Sequence, residues 1–78
     1  MKAKDVSIES YINRKPVKRK NSYGLYISPF RDEHNPSFKI DYDKNLWYDY
    51  GAGEGGSVID LVMKLEQCNF STACKILE

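Results

Sequence analysis

Between residues 23 and 50 apolar and polar positions change places at nearly every step, whereas both ends of the chain carry apolar residues at spacings of three and four. The middle pattern predicts strands and the end patterns predict helices. Side chains alternate between faces along a strand, but return to one face about every 3.6 residues along a helix. At the N-terminal end Ser7 offers a capping hydroxyl, and Ile8, Tyr11 and Ile12 form a short apolar stripe. Residues 7–14 are therefore expected to be helical, with Pro16 ending the helix. In the alternating stretch Tyr23, Leu25 and Ile27 interleave with Gly24, Tyr26 and Ser28, and Pro29 and Pro36 then bracket a polar loop. Phe38, Ile40 and Tyr42 interleave with Ser37, Lys39 and Asp41, and Asp43, Lys44 and Asn45 supply a turn. Leu46, Tyr48 and Tyr50 interleave with Trp47 and Asp49. The first-named set of each run is the expected buried face, and the whole reads as an antiparallel meander.

Residues 51–56 hold four glycines. After them Ser57 caps a helix whose stripe is Val58, Leu61, Val62 and Leu65, with Asp60 placed to complete a capping box. A last helix is expected through Phe70, Ala73, Cys74 and Leu77, capped by Asn69 or Ser71. It reaches Glu78 without a stop signal, so residues 1–78 are expected to be a single domain forming the N-terminal part of a longer protein.

Length and composition narrow the class. A chain of 78 residues has room for one modest core, since a domain of this size buries only ~60% of the surface its unfolded chain exposes. With 41% hydrophobic and 13% aromatic residues that core leans on rings. Twelve basic residues against eleven acidic ones leave a net charge of +1, which excludes a uniform positive field and restricts any nucleic-acid contact to a local patch. Arg14, Lys15, Lys18, Arg19 and Lys20 form the one clear charge cluster. Cys68 and Cys74 are too few and too close for a disulfide framework, and point to a reducing cytoplasm. No apolar run approaches the ~20 residues of a membrane helix, and residues 1–10 lack the apolar stretch of a signal peptide, so no membrane partner is expected.

Candidate chemistry is sparse. Gly51, Gly53 and Gly56 match the spacing of a dinucleotide-binding loop. However, no second parallel strand follows the helix and no acidic residue stands at a strand end about twenty positions on. A glycine-rich turn is the better reading; a phosphate held by the amides of Gly55, Gly56 and Ser57 is the weaker alternative, opposed by Glu54. His34 lies in a loop beside Asp32 and Glu33 and reads as a solvated histidine. Cys74 falls on an apolar stripe as a core thiol, Cys68 has no partner, and Asp41, Asp43 and Asp49 make no convincing carboxylate pair. Nothing supports self-contained catalysis, so the domain alone is not expected to be an enzyme.

Three segments carry a more specific signal. They are Ser28-Pro29-Phe30-Arg31-Asp32-Glu33-His34-Asn35-Pro36-Ser37-Phe38, then Trp47-Tyr48-Asp49-Tyr50-Gly51-Ala52-Gly53, then Gly56-Ser57-Val58-Ile59-Asp60-Leu61-Val62-Met63. Together they resemble the N-terminal zinc-binding domain of bacterial DNA primases, without a gap from about Lys18 to Glu78. The resemblance implies an α+β fold: a small zinc-ribbon-like antiparallel sheet of three to five strands, an N-terminal helix and two C-terminal helices. It also places the family's four zinc-ligand positions on Ser28, Arg31, Asp49 and Ala52. Zinc is held by thiolates, imidazoles or carboxylates, and only Asp49 qualifies. Arg31 stays charged and has no lone pair to give. No cofactor is therefore expected, and this chain is read as a degenerate version of the family.

A structural zinc contributes ~10–16 kcal/mol of apparent binding free energy in zinc-finger peptides, so its loss calls for compensation. An ion pair between Arg31 and Asp49 across the former site is one expected source. Packing of Phe30, Phe38, Leu46, Tyr48 and Tyr50 is the other, at ~1.5–3 kcal/mol for each well-buried side chain.

For function, the resemblance implies a domain that helps a primase recognise single-stranded DNA template during primer synthesis, in replication or in mobilisation of a mobile element. The expected partners are a primase catalytic domain, in the same or a partner chain, and a helicase. Single-strand binders combine a basic track with aromatic stacking faces. Lys18, Arg19, Lys20 and Lys39 are the candidate track, and Tyr26 and Trp47, on the expected polar faces of their strands, are the candidate stacking rings. The alternative is a protein-docking module of a primase or helicase complex that no longer binds DNA.

Overall fold

Capping and turn signals place the elements where the periodicity predicts them. The computed structural model describes residues 5–32 and 34–78. Ser7 caps α1 (Ile8–Ile12), its hydroxyl accepting from the Ser10 amide, and Asn13 ends the helix in the left-handed region at φ 50°. The helix thus stops before Pro16 is reached. Five strands follow: β1 (Lys18–Arg19), β2 (Tyr23–Tyr26), β3 (Phe38–Asp41), β4 (Leu46–Asp49) and β5 (Glu54–Gly56). They form one antiparallel sheet in chain order. Then come α2 (Val58–Glu66) and α3 (Phe70–Leu77). The α+β class, the meander and the flanking helices agree with the sequence reading.

β1 and β5 are too short to show a period. β1 lies inside the basic cluster, and β5 lies inside the glycine segment, where Gly55 and Gly56 pair with Tyr48 and Trp47. The Ser57 amide donates to Asp60 Oδ2 at 2.9 Å as part of a complete capping box. The segment is thereby committed to sheet and cap rather than to a phosphate cradle.

The faces of two strands are the reverse of those expected. On β2 the buried residues are Gly24 and Tyr26, with Ser28 just beyond, and on β4 they are Trp47 and Asp49. Leu46, Tyr48 and Tyr50 face solvent. The cause is register. β3 is unambiguous, with Phe38 and Ile40 buried and Lys39 and Asp41 outward. Directly paired residues share a face, and Phe38 pairs with Tyr26 and Asp49 while Ile40 pairs with Gly24 and Trp47. β3 thus fixes the orientation of both neighbours.

Burying Tyr26 and Trp47 requires partners for their polar ends. The Trp47 indole N–H donates to the Ser57 carbonyl at 2.8 Å, and the Tyr26 and Tyr42 hydroxyls lie 2.6 Å apart. Burial first, and then the bond to Tyr42, raise the ionisation range of the Tyr26 phenol. Gly24 makes the hydroxyl pair possible, because a Cβ there would run into the Tyr42 hydroxyl.

The helices cover this one face of the sheet. Ile8, Val58, Leu61, Val62, Ala73 and Leu77 close over Tyr26, Phe38, Ile40 and Trp47. The Asn45 side chain, in the β3–β4 turn, accepts from the Ile8 amide and donates to the Val6 carbonyl, both at 2.9 Å, which fixes α1 to the sheet. On α3, capped by Asn69, Ala73 and Leu77 are buried, while Phe70 is exposed and Cys74 only half-buried. The expected core thiol is therefore at the margin of the core.

The inverted faces carry a test. Trp47→Ala is expected to cost ~3–5 kcal/mol of unfolding free energy, as for other large buried rings. Leu46→Ala and Tyr48→Ala, on the open face, should each cost less than about 1 kcal/mol. Urea unfolding followed by far-UV circular dichroism checks the order; equal losses would contradict the assigned faces.

Candidate nucleic-acid interface and the former ligand positions

The four positions assigned to metal ligands by resemblance lie on two tight segments. Ser28 and Arg31 follow β2, and Asp49 and Ala52 flank the turn between β4 and β5. The expected ion pair is present. Arg31 Nη1 donates to Asp49 Oδ2 at 2.6 Å and Nη2 donates to Oδ1 at 2.8 Å, a two-pronged contact that matches the planar fork to the carboxylate. Nη2 also donates to Ser37 Oγ at 3.1 Å. The Asp49 side chain is fully buried, and that of Arg31 is 34% exposed.

Backbone geometry reinforces the carboxylate. The Gly51 amide donates to Asp49 Oδ1 at 3.0 Å, and the amides of Ala52 and Gly53 donate to the Asp49 carbonyl. A side chain at Gly51 would run into the Arg31 guanidinium, so this glycine gives the fork its room. The Arg31 hydrogen bonds are the largest influence on the Asp49 carboxyl. Together with the charge of Arg31 and the nearby amides they outweigh burial, and hold it below the usual carboxylate range.

This donor set does not fit zinc. Asp49 already has both oxygens engaged by Arg31, Arg31 offers no lone pair, and Ala52 has no donor atom. The Ser28 hydroxyl is buried and accepts from the Phe30 amide at 3.1 Å. Among the described residues no group of three or more His, Cys, Asp or Glu side chains is placed to hold a metal ion.

Packing beneath the pair differs from expectation. Phe38 is buried and Phe30 half-buried as proposed, but Leu46, Tyr48 and Tyr50 are exposed and contribute little to the core. Trp47 takes their place: its ring stacks on Phe38 at 5.6 Å and meets Phe30 edge-on at 5.1 Å. Lys64 of α2 sits 5.2 Å over the Phe30 ring and pairs with Glu54 of β5 at 2.6 Å.

The candidate nucleic-acid residues divide between the two faces. Lys18 and Lys39 lie in one row across the open face, where Lys18 pairs with Leu25, Leu25 with Lys39 and Lys39 with Tyr48. Arg19 does not join them. It pairs with Glu9 of α1 at 2.7 Å and lies 4.4 Å over the Tyr42 ring. Lys20 is exposed in the β1–β2 turn. Tyr26 and Trp47 are inside the core, at 0% and 5% exposure, and neither ring offers a face to a base.

Rings expected in the core stand in their place. Tyr48 is 41% and Tyr50 58% exposed, and the two meet edge-on at 4.9 Å. Lys39 pairs with Tyr48 across the strands, and its ammonium lies 4.8 Å over the Tyr23 ring. Lys39, Asp41, Lys44, Leu46, Trp47, Tyr48 and Tyr50 line an open depression of about 550 Å³.

Arg31→Ala and Asp49→Ala, with the double variant, measure the pair. Only the carboxylate of this pair is buried, so removing one partner is expected to cost ~1–3 kcal/mol, with Arg31→Ala, which leaves that carboxylate without its donors, nearer the upper end. The double variant should be less destabilised than the sum of the singles, by ~1–3 kcal/mol in a denaturation cycle. Additive losses would contradict the contact.

Comparison with known proteins agrees with this frame. A family model described as the CHC2 zinc finger matches residues 2–78. The DNA primase of Clostridium acetobutylicum is 37% identical over 78 residues, covering 97% of this chain and 13% of the relative. That of Streptomyces coelicolor is 34% identical over 73 residues, covering 94% and 11%, and that of Borreliella burgdorferi is 39% identical over 70 residues, covering 90% and 13%. The chain thus spans about an eighth of the length of these relatives. The crystal structure of the Aquifex aeolicus primase (zinc binding and RNA polymerase domains) superposes with a TM-score of 0.76 at 24% identity, over 94% of this chain and 18% of that one, a likeness of fold. By sequence and by fold, the chain belongs to the CHC2 zinc-finger family.

Proposed function

We propose that this chain is a template-binding domain for single-stranded DNA in a primase-like protein, serving primer synthesis in replication or mobilisation of DNA. The observation that carries the reading is the open sheet face, where the Lys39 ammonium lies over the Tyr23 ring and Lys39 pairs across the strands with Tyr48, which meets Tyr50 edge-on. Exposed rings accept any base by stacking, at ~1–3 kcal/mol per base, and a lysine beside them neutralises backbone phosphate. Lys18 extends the same row to the far edge of the sheet, about 10 Å from Lys39 at ordinary strand spacing. With a net charge of only +1, contact is confined to this local track.

In this reading the domain carries no catalytic group. It presents template to a polymerising primase domain in the same or a partner chain, and a helicase is a further expected partner. The family membership supports the setting, since the relatives named above are DNA primases.

Fluorescence anisotropy with a labelled single-stranded oligonucleotide tests it. Binding should weaken with salt, the logarithmic slope growing by ~0.7 for each phosphate neutralised, and Lys39→Ala should flatten that slope. Tyr48→Ala should cost ~1–3 kcal/mol, about 5- to 150-fold in affinity, with little change in melting temperature. Lys75→Ala, on α3 and away from the sheet, should bind as the parent does. Absence of binding at low salt would contradict the reading and favour the protein-docking alternative.

A further inference from the structure

The family to which this chain belongs is described as a zinc finger, yet its own donor set does not fit zinc. A metal ion at the four ligand positions would tie the segment after β2 to the turn after β4. Arg31 and Asp49 tie the same two segments by direct contact. The contact is built into its surroundings rather than laid on the surface: the carboxylate is fully buried, Gly51 leaves space for the guanidinium, and the Ser37 hydroxyl takes a further N–H. Among the described residues no buried side-chain nitrogen or oxygen lacks a hydrogen-bond partner.

We propose that the Arg31–Asp49 pair replaces the metal as the staple of this domain, so that the protein folds and keeps the two segments joined without zinc. The replacement is positional: a cation and an anion stand on two of the four ligand positions, while Ser28 and Ala52 occupy the other two as small residues. Zinc entering the site would have to displace Arg31 from Asp49 and would find no second strong ligand. A ligand that gains nothing in the folded state does not raise its stability. Cys68 and Cys74, the only thiols in the sequence, lie at the α2–α3 end of the chain and are not at these positions. The inference does not depend on DNA binding.

Two measurements test it. Elemental analysis of the purified protein is expected to find far less than one zinc per chain, and melting curves with EDTA, with added zinc and with neither should superimpose. The second uses the combined variant Ser28→Cys, Arg31→His, Asp49→Cys and Ala52→Cys, which restores ligand chemistry at all four positions. Its melting temperature should rise with added zinc and fall with EDTA, because the frame still brings the four positions together. One tightly bound zinc per chain in the parent protein, or a parent melt lowered by EDTA, would overturn the proposal. Failure of the combined variant to bind zinc would overturn the claim that the pair stands on a ligand frame. Should that variant fold only with zinc present, the frame is confirmed by the metal dependence itself.

Discussion

The geometry at this end of the sheet depends on one buried carboxylate. Asp49 ends β4, faces the core side of the sheet, and is fully enclosed. Without a cation beside it, such a group would leave a desolvated charge that costs several kcal/mol. The Arg31 fork meets that demand and in doing so joins the loop after β2 to the turn before β5. The same turn places Tyr50, whose amide donates to the Ser37 carbonyl at 2.8 Å, next to Tyr48 on the opposite face. Closure of the former ligand positions and presentation of the open aromatic face are thus two sides of one strand end.

Magnitudes divide the work. An ion pair does not match the ~10–16 kcal/mol of a structural zinc, and a buried pair is costly to break more than it is strongly stabilising. The remainder comes from rings: Phe30, Phe38 and Trp47 form a contiguous aromatic group under the pair, and Tyr26 is buried beside Phe38. Specific geometry at the pair thus acts together with non-specific burial beneath it.

Much of this was legible in the sequence, for identifiable reasons. Ser7, Ser57 and Asn69 announce their helices because a side-chain oxygen is needed at each start. The Arg31–Asp49 contact was legible because the resemblance to primase zinc-binding domains sets both residues on facing ligand positions. What periodicity alone did not reveal was which face of β2 and β4 is buried, since both faces carry rings or aliphatic residues. Only β3 separates Phe38 and Ile40 cleanly from Lys39 and Asp41, and pairing to β3 would have oriented its neighbours. That step moves Tyr26 and Trp47 into the core and brings Tyr48 and Tyr50 out, exchanging one pair of stacking candidates for another.

The most direct test of the central role of Asp49 is a carbon-detected NMR titration of its side-chain carboxyl. Hydrogen bonds and charge from Arg31 lower its folded-state ionisation range. The linked stability is therefore fully present above the unfolded value of ~3.9 and is lost as pH falls through the folded value. The carboxyl carbon is predicted to keep its ionised shift as pH falls through the ordinary carboxylate range, and to change only as the fold itself fails. Titration at the ordinary carboxylate value in a protein that stays folded would contradict the account.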